Sequence, residues 1–164
     1  MAEMNPLQEL LHDELKDLYS AENQIIKALP KMVKAAESPD LKRAFERHLE
    51  ETKRQAERLD EIANELDVKL TGKKCKGMEG VLEEGKEAIA ELDTENMDAG
   101  LIGAAQKVEH YEIAAYGTAR THAEMLGYRR VAKLLQQTLD EEGATDKKLT
   151  ALAESIINVE AIET

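Results

Sequence analysis

Apolar residues recur along four long stretches of the chain at alternating four- and three-residue steps, the pattern of a helix face buried in a bundle. In the first stretch Leu7, Leu11, Leu15, Leu18, Ile25 and Leu29 keep the rhythm. The pattern predicts a helix from about Pro6, a good first-turn residue, to about Ala36. Pro30 lies inside it and should kink it or remove one hydrogen bond near Ile26. Ser38-Pro39-Asp40 breaks the pattern, and a second helix is expected over about 40–68, with Leu41, Phe45, Leu59, Ile62 and Leu66 inward. So short a turn between long helices implies an antiparallel hairpin.

The long pattern lapses over residues 69–97. Lys69 to Gly77 reads as a basic loop, and Met78, Val81, Leu82, Ala88, Ile89 and Leu92 mark a shorter helix over about 78–92. Thr94 to Asp98 is the expected cap of a third long helix, about 99–126, which Gly127 closes. The fourth is expected over about 128–157, with Val131, Leu135, Leu149, Leu152 and Ile156 inward. Two helical hairpins joined by a long connector make an all-α, ferritin-like four-helix bundle, its crossover holding a short fifth helix. The 164 residues fit one domain.

Glutamates interrupt every stripe. Glu22 fills the slot between Leu18 and Ile25; Glu51, the pair Glu109 and Glu112, and Glu142 interrupt the other three. A buried carboxylate with no partner costs several kcal/mol, so it is protonated, pairs, or binds a cation. With one candidate basic residue on the stripes, a metal is the leading explanation. Depth supports convergence. Glu22 stands 16 residues before the first turn, centred near residue 38, and Glu51 stands 13 after it. At about 1.5 Å per residue these offsets differ by about one helical turn. Glu112 and Glu142 lie 15.5 and 14.5 residues either side of the second turn, with Glu109 one turn beyond Glu112. The bland alternative is a protonated or water-filled polar layer that fixes helix register without metal.

Bundles that hold two iron or manganese ions place one Glu on each of two helices and Glu-x-x-His on the other two. Here Arg54 follows Glu51 by three and Thr145 follows Glu142 by three, and neither replaces an imidazole. His48, three before Glu51, shares its stripe and is a candidate nitrogen ligand or supporting donor. Gln55 and Asp146 lie one turn from Glu51 and Glu142 as reserve ligands. Tyr19 and Tyr116 flank Glu22 and Glu112 and can donate to them. His12, His110 and His122 read as surface or interhelical residues, and spacing turns Glu142 inward and Glu141 to solvent.

Net charge narrows the partners. At −12 the chain is a poor match for a nucleic-acid backbone or an anionic membrane. No stretch is apolar enough for a membrane span, residues 1–11 lack the features of a signal peptide, and a single Cys75 excludes a disulfide framework. A cytoplasmic location is the expectation, with Cys75 an incidental surface thiol among lysines.

The strings LLHDELKDLYSAENQIIKALPKM, HLEETKRQAERL, KVEHYEIAAYGTAR and LLQQTLDEEGATDKKL carry a resemblance along nearly the whole chain. The sequence resembles the YciE/YciF-type ferritin-like bacterial stress proteins. That resemblance implies a homodimeric bundle with a two-metal centre similar to that of rubrerythrin. Glu109 and Glu112 match the Glu-x-x-Glu of rubrerythrin's third bundle helix. Glu22, Glu51 and Glu142 match its first-helix Glu and the leading Glu of each Glu-x-x-His. Both histidines are missing, which implies an oxygen-rich site, and one cysteine cannot supply rubrerythrin's separate cysteine-bound iron.

The resulting expectation is two iron or manganese ions, bridged by Glu51 and Glu142, with Glu22, Glu109 and Glu112 as terminal ligands and His48 nearby. Such a centre suits a ferroxidase, peroxidase or catalase-like oxidoreductase acting on oxygen or peroxide under stress. The alternative is a non-catalytic metal-binding or structural bundle protein.

Overall fold

The computed structural model describes residues 3–163, and every regular element in it is helical. Local chemistry sets the first boundary. Asn5 caps α1 (Pro6–Ala35): its side chain accepts from Gln8 N at 3.0 Å, and the Gln8 side chain accepts from Asn5 N at 2.8 Å. The helix runs through Pro30, which is exposed, where a missing backbone donor is best tolerated. Ser38 caps α2 (Pro39–Leu66), and Asp67, at φ 50°, ends it in the left-handed region.

α3 spans Lys76–Glu91 and α4 spans Thr94–Met125. α4 thus starts five residues before the expected Ala99. Asp98 was expected among its capping residues; instead its carboxylate accepts from the backbone N–H groups of Glu37 and Ser38, each at 2.7 Å, and pins α4 to the α1–α2 turn. Gly127, at φ 77°, makes the next turn, as its expected capping role requires. α5 (Arg129–Leu152) continues through a π-helical turn, Ala153–Ile157, into α6 (Asn158–Glu163). The wide turn moves the stripe by one residue. Ala153 and Ile157 are buried where Leu152 and Ile156 were expected, and those two are half-buried.

Cross-helix bonds give the helix directions. Gln8 pairs with Tyr128, Glu14 with His122 and Glu22 with Tyr116, so α1 and α4 are antiparallel. Glu51 pairs with Thr145, Arg58 with Thr138 and Glu65 with Arg130, so α2 and α5 are antiparallel as well. α1 packs on α2 and on α4, α5 packs on both α2 and α4, and α3 lies against α1 and α4. The connector that holds α3 is tied to α1 by Lys73 to Asp13 and by Cys75 N–H to Ser20 Oγ.

The apolar core has two halves. One joins Leu11, Leu15 and Leu18 to Leu59, Ile62, Tyr116 and Leu135. The other joins Ile25 and Leu29 to Phe45, Leu101, Ile102, Val108 and Leu149. Between them along each long helix stand buried polar residues: Glu22, then His48, Thr52 and Gln55, then Glu109 with Glu112, and Glu142.

Candidate metal centre

Each long helix delivers its polar side chain to this middle layer because the apolar rhythm on both sides orients the helix. Glu22, Glu109 and Glu142 are 0% exposed and Glu112 is 1% exposed, as sealed as the leucines around them. Tyr116, also fully buried, donates its hydroxyl to Glu22 Oε1. His48 Nε2 lies 2.9 Å from Glu109 Oε1. One ligand atom each from His48, Glu109 and Glu142 fall within 4.8 Å of one another. Apart from that imidazole contact, no hydrogen-bond partner among the described residues serves the oxygens of Glu109, Glu112 and Glu142, Oε2 of Glu22, or Nδ1 of His48.

Burial dominates the electrostatics. It pushes Glu22 up to about 8, with the charge of Glu142 adding and the Tyr116 hydrogen bond opposing. Burial likewise raises Glu109 to about 7 and lifts Glu112 and Glu142 well above the usual carboxylate range. Contact between Glu109 and Glu142, and between Glu22 and Glu112, leaves a proton to be shared within each pair when no cation neutralises them. The donor set is therefore oxygen-rich with one imidazole, the chemistry that iron and manganese accept.

The other expected ligands and neighbours are placed differently. Glu51 is only half-buried and accepts from Thr145 Oγ1 at 3.2 Å. The buried run of α2 is Leu41, Phe45, His48, Thr52, Gln55, Arg58, Leu59 and Ile62, so Glu51 sits on the shoulder of the helix, one residue off its inward line. It remains close enough for its charge to act on Glu109. Gln55 is buried, and its amide donates to Glu141 at 3.2 Å. Asp146 is turned aside to Gln106 and to the exposed His110. Tyr19 is half-buried in the leucine cluster, and no hydrogen bond from its hydroxyl reaches the layer among the described residues. Arg54 is exposed, and Thr145 is the Glu51 donor.

Two features escaped the sequence reading. Arg58 is a second buried basic residue; it clasps Glu141 at 2.9 Å and Thr138 at 2.5 Å, so Glu141 is an ion-pair partner and not a freely solvated residue. Its place beside Leu59, at the edge of the α2 stripe, was the available signal. Cys75 is fully buried, not a surface thiol. It caps α3 and lies 3.1 Å from Asp17 and 3.2 Å from Tyr111, and burial raises its pKa, so it is no reactive thiolate.

A helical bundle with an acidic, imidazole-bearing layer across its core is the class that fold and site define. The chain belongs to the family described as a domain of unknown function, DUF892, whose sequence profile matches residues 6–162. It is 49% identical to Protein YciF of Escherichia coli K12 over 160 residues, 96% of each chain. The crystal structure of that E. coli stress protein superposes with a TM-score of 0.90 at 50% identity, over 94% of this chain and 99% of the other. YcfI of Rhodopseudomonas palustris, described as a proposed structural protein, superposes with a TM-score of 0.86 at 42% identity, over 90% and 95%. Among the described residues, no helix is long and apolar enough to cross a membrane.

Proposed function

We propose that this protein is a ferritin-like four-helix bundle with one long crossover, built to hold two iron or manganese ions in its carboxylate layer. The carrying observation is that layer itself: four buried carboxylates that the Tyr116 hydroxyl and the His48 imidazole serve only in part, all sealed in an apolar core. Glu109, Glu142 and His48 would hold one ion, and Glu22 with Glu112 the other, with Glu51 reaching in from the α2 shoulder. Tyr116 holds Glu22 in orientation by its hydrogen bond. Bound there, the ions would supply one-electron chemistry toward oxygen or peroxide. The leucine-rich halves of the core exclude bulk water from both sides of the layer. On this reading the protein is a cytoplasmic oxidoreductase, working as a homodimer under oxidative or related stress.

One observation favours a second reading. Carboxyl groups raised to about 7 and 8 can share protons pairwise and fix helix register without metal, in a purely structural bundle. Metal content and peroxide consumption, measured on protein purified without chelator, separate the two. The metal reading requires about two iron or manganese ions per chain, lost on Glu142→Ala. Full stability and no bound metal in the unaltered chain would leave the structural reading standing.

A further inference from the structure

Cavities lie on two sides of the layer. Beneath α3, between α1 and α4, runs a groove of about 350 Å³ walled by Ala28, Met32, Leu82, Ile89, Ala104 and Val108, with charged side chains such as Lys27, Lys31 and Glu79 also lining it. Four of these residues, Ala28, Met32, Leu82 and Val108, also wall a chamber of about 10 Å³ whose remaining walls include His48 and Glu109. The groove therefore narrows to an apolar neck that ends on two of the candidate ligands. On the far side, between α2 and α5, a cavity of about 280 Å³ also reaches His48; Arg43, Arg47 and Lys148 line it with Asp40 and Glu51. Of the described residues only His48 borders both the neck and this charged cavity.

We propose that the neck beneath α3 is the path by which dioxygen reaches the His48–Glu109 end of the layer, an inference that rests on the metal reading above. The neck offers no hydrogen-bonding side chain until its inner end. An ion would shed its hydration there, and peroxide would lose its hydrogen bonds, both at high cost. Dioxygen has neither to lose. At about 10 Å³ the chamber is at the lower limit of room for a single water, so its walls must yield slightly for a small molecule to pass, and its apolar stretch offers water no partner. Leu82, carried by α3 and not by the four long helices, is the wall residue that the path requires to move. Rotamer changes of such a side chain are fast enough to open and shut the neck on every encounter.

Xenon, which probes dry apolar cavities, tests the path without any metal. In crystals of the metal-free protein under xenon pressure, the gas is expected between Leu82 and Val108. Occupancy should rise in Leu82→Ala and vanish in Ala28→Leu, with the helices unmoved. In protein loaded with ferrous iron, Ala28→Leu should slow oxidation by dissolved oxygen about tenfold, the effect of ~1.4 kcal/mol on a barrier, at unchanged iron content. Xenon in the α2–α5 cavity alone, xenon nowhere, or undiminished oxidation in Ala28→Leu would each overturn the path. Failure to load iron would instead overturn the metal reading, and the xenon maps would still decide whether the neck is open.

Discussion

The buried carboxyls make stability depend on pH in a direction opposite to that of salt-bridged acids. Glu22 is held at about 8 in the fold, against about 4.3 for an exposed glutamate. Below the lower value both states are protonated and the group contributes nothing. As pH rises through the window between them, the unfolded chain releases its proton while the folded chain keeps it, so stability falls. At 1.36 kcal/mol per pH unit, Glu22 titrating alone would cost the fold on the order of 5 kcal/mol by pH 8. Glu109, held at about 7, would cost on the order of 4 kcal/mol by the same reckoning. The two are not additive, since each charge opposes the other, but either is a large part of the stability of an ordinary domain. The assay is urea denaturation with chelator present at pH 5, 6, 7 and 8, on the unaltered chain and on Glu22→Gln. The midpoint of the unaltered chain should drop steadily toward pH 8, and the amide variant should drop less. Manganese added at pH 8 should restore the loss. A flat or rising midpoint in the chelated protein would refute the account of the layer's electrostatics.

Arg58→Ala removes the clasp between α2 and α5, leaving Thr138 without its donor and Glu141 with only the Gln55 amide; a loss of roughly 1–3 kcal/mol is expected in chemical denaturation. In Gly77→Ala the new methyl would meet the Tyr111 ring at 2.6 Å. The ring must then leave Cys75 and Asp17, at a cost of about 1–3 kcal/mol in overpacking, readable as a lower melting temperature. Tyr116→Phe deprives Glu22 of its hydroxyl donor. It should raise the carboxyl pKa further, seen in the carbonyl stretch of the protonated acid by infrared titration, and should weaken metal affinity.

Much of this architecture is legible in the chain because a bundle obeys simple arithmetic. Counting residues from the two turns puts Glu22, Glu109, Glu112 and Glu142 at one depth, and the structure places all four in the buried layer. The same counting puts Glu51 at that depth too, but the structure leaves it half-buried. Depth says how far along a helix a residue lies, but not its angle about the axis, and one residue of rotation moves Glu51 to the shoulder and puts Thr52 inward. Leu152 and Ile156 fail because a π-helical turn shifts the register, an event that hydrophobic periodicity cannot announce. Cys75 and Arg58 are decided by tertiary partners. The cysteine is covered when α3 folds back on α1 and α4, and the arginine is buried because Glu141 and Thr138 stand opposite it on α5.

The central claim is that the layer is a two-metal site, and its most direct test is an anomalous-scattering map of crystals soaked in manganese. The account predicts two peaks inside the bundle, one among His48, Glu109 and Glu142 and one beside Glu22 and Glu112. No peak in the layer at saturating manganese, with the carboxyls paired and protonated instead, would contradict it.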